Sequence, residues 1–88
     1  MQLSFKKDSK QPAVRTLADL QQNESGLVDS IDLPQDLALR LMELGFLPGH
    51  SVLAAHSAPG GDPRVFRVDG AEIALRRETA RHILLRNN

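Results

Sequence analysis

The sequence has 88 residues, 41% of them hydrophobic and 25% charged, and its 11 basic and 11 acidic side chains balance to zero. That size allows one small domain with a single core, burying roughly 60% of the surface its unfolded chain exposes. The absence of cysteine excludes disulfides, thiolate metal sites and cysteine nucleophiles and favours a reducing, cytoplasmic setting. Zero net charge argues against a dedicated nucleic-acid binder, which needs a basic surplus to release counterions.

Residues 1–14, with Lys6, Lys7 and Lys10 and no apolar period, read as a flexible basic tail rather than an export signal, which needs an apolar centre. The domain itself is expected over 15–88. Thr16 is placed to cap a short first helix in which Leu17 and Leu20 share a face, and Asn23, Ser25 and Gly26 stop it. The partial alternation of GLVDSIDL then reads as a strand.

Pro34 opens the main helix, expected over about 34–44, because proline suits the first helical position, where its missing N–H has no partner to lose. Leu37, Leu41 and Leu44 recur at i, i+4, i+7, with Ala38 and Met42 widening the expected core stripe, while Arg40 and Glu43 face away. Gly45 is set to end the helix in the left-handed conformation, which makes Phe46 and Leu41 the pair that touches in a Schellman ending. Pro48-Gly49 carries the signature of a type II turn, and a strand from Ser51 to His56 follows.

Gly60-Gly61-Asp62-Pro63 reads as a wide hairpin loop with Asp62 bonding its own backbone. Asp69-Gly70, between two alternating runs, signals a type I′ hairpin. Its register pairs Val68 with Ala71, Arg67 with Glu72, Phe66 with Ile73 and Val65 with Ala74, and puts Phe66, Val68, Ala71, Ile73 and Leu75 on the core face. Arg77 to His82 suits a helical turn and Ile83 to Leu85 a last strand. Short strands joined by tight turns imply a mainly β fold with helical additions, closed as a small barrel.

No catalytic constellation emerges, and no catalytic, cofactor-binding or metal-ligating residue is expected. His50, His56 and His82 form no pair at i, i+3 or i, i+4. His56 with Asp62 is the nearest approach to a divalent-metal site and lacks further ligands. His56 and Ser57 alternate across a strand, so they do not make a nucleophile and its base. APGGDP is followed by a strand, whereas a phosphate loop needs a helix and usually a lysine. The late arginines Arg64, Arg67, Arg76, Arg77, Arg81 and Arg86 allow a local basic patch, but Phe5, Phe46 and Phe66 are the only aromatics, too few for a base-stacking platform. No apolar run reaches the roughly 20 residues that span a bilayer. What is left points to binding by surface shape.

Two stretches, RLMELGFLPGHSV and APGGDPRVFRVDGAEIALRRETARHI, together resemble the FeoA family, small cytosolic accessory proteins of bacterial ferrous iron transport. The resemblance runs from Thr16 to Arg86. It rests on Arg40, Leu41, Leu44-Gly45-Phe46 and Pro48-Gly49, then on Pro59, Gly61-Asp62-Pro63, Gly70 and Ala74-Leu75-Arg76; it departs at Gly60, where the family tends to have an apolar residue. It implies an SH3-like β-barrel without enzymatic activity, bound to the cytosolic part of FeoB, a membrane ferrous iron transporter with a nucleotide-hydrolysing G-domain. Contact with the membrane would then be indirect, through that partner, and self-association stays open. Gly45, Phe46, Pro48, Gly49, Gly61, Asp62, Pro63, Gly70 and Arg76 are assigned as the structural motif. Arg40, Met42, Glu43 and Leu47, on the exposed side of the helix and its junction, are the expected partner contacts. The alternative is a stand-alone regulatory domain similar to the SH3-like C-terminal domain of iron-dependent repressors, in a chain with no room for their DNA-binding helix-turn-helix.

Overall fold

The computed structural model describes residues 15–86; the expected basic tail over 1–14 lies outside them. In chain order the elements are a 3-10 turn Leu17–Asp19, strand β1 Ser25–Ile31, helix α1 Gln35–Glu43, strand β2 Ser51–Ser57, a second 3-10 turn Pro59–Gly61, strands β3 Arg64–Val68 and β4 Ala71–Leu75, helical turn α2 Arg77–Ala80, and strand β5 Ile83–Leu85. The strands form one antiparallel sheet in the order β4-β3-β2-β1-β5.

The sheet is open. Its end strands β4 and β5 do not pair, so the expected closed barrel is not what the described residues form. The curvature that a barrel requires is nevertheless present, and its source is visible in β1. Ser25 to Leu27 pair with β2, Val28 to Ile31 pair with β5, and the register shifts between Val28 and Ser30. A second irregularity falls between Ala54 and His56 in β2. Each extra residue bends its strand and increases the local twist, wrapping the sheet around Phe46, Phe66, Val28, Val52 and Ile83, all fully buried.

The Asp69-Gly70 hairpin follows the sequence expectation. Both central residues have positive φ, 51° and 82°, as a type I′ turn requires, and the four expected pairings are all present. Arg67 and Glu72 meet across the solvent face at 2.7 Å. The hydrogen bond from Arg67 holds the Glu72 carboxyl below the ordinary glutamate range. The core face is narrower than expected, however. Phe66, Val68 and Leu75 are buried, Ile73 only partly, and Ala71 is exposed, since it sits at the turn beyond the reach of the core.

Four further expectations are corrected. The first helix is only the turn Leu17–Asp19, although Thr16 caps it as expected: its Oγ1 accepts from the Ala18 N–H, and the Asp19 carboxylate accepts from the Thr16 N–H. Burying Leu17 and Leu20 on the sheet, rather than helix propensity, holds this segment in place. Pro34 is the N-cap residue, with φ −53° and ψ 149°, not the first helical residue. On α1 the buried residues are Ala38 and Leu41, while Leu37 and Leu44 are 44% and 45% exposed. One sheet face cannot cover a stripe as wide as the full leucine series. Finally, Arg64 is not part of a surface basic patch: it is buried, its Nη1 donates to the Leu20 carbonyl at 2.5 Å, and its guanidinium lies 5.5 Å from the Phe66 ring centroid. A buried cation demands such partners, and here they tie the N-terminal turn to β3.

Candidate functional site

Among the described residues no group of three or more His, Cys, Asp or Glu side chains converges as a metal site. His56 and Asp62 are not joined: His56 pairs with Val65 inside the sheet, and Asp62 is engaged elsewhere. No described helix is long and apolar enough to cross a membrane.

The distinctive concavity is a groove of about 280 Å³ between α1 and α2, lined by Leu33, Leu37, Arg40, Leu41, Glu78, Thr79 and His82. Helical spacing builds one wall. Leu37, Arg40 and Leu41 stand at i, i+3 and i+4 and share a face, with Leu33 preceding them just outside α1. Leu41 is buried and makes the floor; Leu37 stands at the rim. The other wall is α2 with His82, held because Ala80 is fully buried beneath it. Arg40 and Glu78 put opposite charges on the two walls, and neither forms an ion pair with another described residue.

The end of α1 is fixed by its own backbone. The Phe46 N–H donates to the Leu41 carbonyl at 3.1 Å and the Gly45 N–H to the Met42 carbonyl at 3.0 Å, the two bonds of a Schellman ending. Gly45 has φ +116°, and a Cβ there would stand 3.1 Å from Asp69 Oδ2 and 3.3 Å from a Val68 methyl. Glycine is therefore required twice over, by the backbone and by the hairpin packed against it. Pro48-Gly49 turns next, with Gly49 at φ +86° and the His50 N–H donating to the Leu47 carbonyl at 2.9 Å. His50 Nδ1 then lies 3.5 Å from Asp69 Oδ2.

Of the four residues expected to meet a partner, Arg40 lines the groove and Glu43 is exposed beside it on α1; Met42 and Leu47 are half-buried at the junction. Sequence reasoning missed Leu33, Leu37, Glu78, Thr79 and His82. Leu37 was hidden by its place in the leucine series, and the α2 residues by their distance along the chain.

The motif glycines and prolines do not line this groove. Pro59 to Gly61 form a turn with Gly60 and Gly61 at φ 87° and 88°. The Asp62-Pro63 peptide bond is cis. Contrary to the sequence expectation, Asp62 does not bond its own backbone: its Oδ1 accepts from the Arg77 N–H at 2.9 Å, across 15 residues. Arg76, the N-cap of α2, supplies no side-chain cap, and its carbonyl accepts from Thr79 and Ala80.

The FeoA domain model matches residues 15–87. Comparison with curated proteins by sequence finds no match. Among solved structures, the fold is similar to that of FeoA from Stenotrophomonas maltophilia complexed with zinc, with TM-score 0.73, 34% identity, and 82% of this chain and 89% of that chain covered. That protein is described as a prokaryotic SH3 domain protein and a proposed activating factor of bacterial ferrous iron transport. FeoA from Chlorobium tepidum is similar at TM-score 0.76 and 28% identity, over 81% of this chain and 68% of that one. A manganese-dependent transcriptional repressor shares the fold at TM-score 0.69 and 17% identity, over 90% of this chain and 45% of that one. With the family model spanning every described residue and an SH3-like fold in common, the chain belongs to the FeoA family.

Proposed function

We propose that the protein is a non-enzymatic accessory module of ferrous iron transport, which works in the cytoplasm by binding the cytosolic part of a FeoB-type transporter at the groove between α1 and α2. The observation that carries this reading is the exposure of Leu37, at 44%, on the rim of that groove and on the one long helix of a small domain. Apolar surface kept in water beside a concavity marks a contact site more often than a defect. The groove has an apolar floor with a cation on one wall and an anion on the other. It suits a partner segment that inserts an apolar side chain and carries an acidic residue toward Arg40 and a basic one toward Glu78.

An NMR titration with the transporter's cytosolic domain tests both partner and surface. The expected result is shifts at Leu33, Leu37, Arg40, Thr79 and His82, with the Asp69-Gly70 hairpin unmoved. An absence of shifts, or shifts confined to the hairpin, contradicts the proposal. The repressor likeness favours a second reading, a regulatory domain without a transporter partner. Fold alone supports it, since that similarity comes at 17% identity.

A further inference from the structure

The helical turn α2 presents a physical problem. It is four residues long, too short to persist on its own hydrogen bonds, and its N-cap residue Arg76 provides no side-chain acceptor. Yet it carries Glu78 and Thr79, half of the polar lining of the groove, and leads into His82. Burial of Ala80 holds one side of it down. Something else must fix its first turn.

We infer that Asp62 is a positioning residue for the groove: its carboxylate latches α2 through the Arg77 N–H, and so sets the wall that faces α1. The inference rests on the groove being the binding surface, as proposed above, but its physical basis is independent of any partner. Asp62 Oδ1 accepts from the Arg77 N–H at 2.9 Å, doing from 15 residues away what a cap residue ordinarily does from within the helix. The loop that holds Asp62 is closed on itself. The Ala58 N–H donates to the Pro63 carbonyl at 2.9 Å and the Gly61 N–H to the Ala58 carbonyl at 2.8 Å, while Gly60 and Gly61 take positive φ. The Arg77 guanidinium returns over this loop, 3.7 Å from where a Cβ on Gly61 would begin. Loop and helical turn thus grip each other from both sides. The Gly61-Asp62-Pro63 motif, which forms no part of the groove lining, acts on it through α2.

Two substitutions cut the latch from opposite ends. Asp62→Ala removes the acceptor. Arg77→Pro removes the donor at a first helical position, where proline is tolerated, and Arg76 before it already has the extended backbone, φ −70° and ψ 151°, that a following proline requires. Hydrogen exchange by NMR reads the result at the amides that close α2, those of Thr79, Ala80, Arg81 and His82. Each single variant is expected to speed exchange there by roughly 2- to 30-fold, the effect of losing one cap, while β2 and β3 amides keep their rates. The double variant goes no further than either single one, because the two changes delete one interaction. Asp62→Asn, which keeps an acceptor, retains the parent rates. Unchanged exchange in both single variants, or acceleration spread evenly over the sheet, overturns the latch.

The affinity of the same variants for the transporter's cytosolic domain supplies the second arm. Asp62→Ala binds more weakly and Asp62→Asn binds as the parent does. If Asp62→Ala binds undiminished, its role in positioning the groove is overturned. If the parent protein itself does not bind, the functional proposal fails, and the exchange data still decide whether the latch exists.

Discussion

The junction from Leu39 to Val52 and the loop from Pro59 to Pro63 look alike in sequence, both punctuated by glycine and proline, yet they are held in different ways. The hydrogen bonds that end α1 and close the turn after it join residues within five positions of one another, from Leu41 to Phe46 and from Leu47 to His50, and only then do Gly49 and His50 bond Val28 of β1 through their backbones. The loop closes itself in the same local manner, but its one charged side chain reaches Arg77, 15 residues on. The junction therefore forms as a unit and delivers α1 to the sheet. The loop serves an element that it precedes by two strands. In a domain of this size, one motif makes a local structure, whereas the other connects two that would otherwise drift.

Substitutions can break this contrast, beginning with the largest effect. Phe46→Ala empties a fully buried site and is expected to cost about 3–5 kcal/mol, a large share of the stability available to a domain this small. Denaturant unfolding checks it, and a loss below that range would mean the ring is not what closes the helix end. Gly45→Ala forces a Cβ into a positive-φ position beside Asp69 and Val68, for about 1–3 kcal/mol, read in the same way. Both junction variants should lower stability across the whole molecule. Asp62→Ala should remove about 0.5–2 kcal/mol, concentrated at α2; a fall as global as that of Gly45→Ala would erase the distinction between the regions.

The smallest effect concerns acid. Glu24 is held below the ordinary glutamate range by the Gln21 backbone N–H and then by Arg15, and Glu72 is held there by Arg67. A carboxylate with a depressed folded-state value contributes stability that is complete above the unfolded value, about pH 4.3, and is lost as pH falls through the lower folded one. Glu72→Gln should therefore make stability fall less steeply below about pH 4, with little change at neutrality, since both groups of its ion pair face solvent. An acid limb as steep as the parent's would show that the pair contributes nothing.

The same distinction explains what could be read from the sequence. The Schellman ending, the type II turn and the Asp69-Gly70 register were legible because each is encoded within a few residues that must satisfy their own backbone. The widths of the buried faces were not. Leu37 and Leu41 are both leucines on one helix, and only tertiary packing decides that Leu41 is covered while Leu37 stays exposed. Arg64 read as a surface charge because its acceptors, the carbonyls of Leu20 and Ala18, lie more than 40 positions earlier. The groove followed the same rule: Arg40 could be named from its helix face, but Glu78, Thr79 and His82 come from the far C-terminal part of the chain.

Leu37 is the residue on which the assignment of the groove turns, being exposed, at the groove rim and outside the core. The most direct measurement is the affinity of Leu37→Glu for the transporter's cytosolic domain, set against its unfolding midpoint. A surface substitution of this kind should change stability by no more than about 0.5 kcal/mol, while burying a charge in the contact weakens binding by roughly tenfold or more, as loss of a central apolar anchor does. An unchanged midpoint with binding lost is the predicted result; undiminished binding would contradict the assignment of the groove.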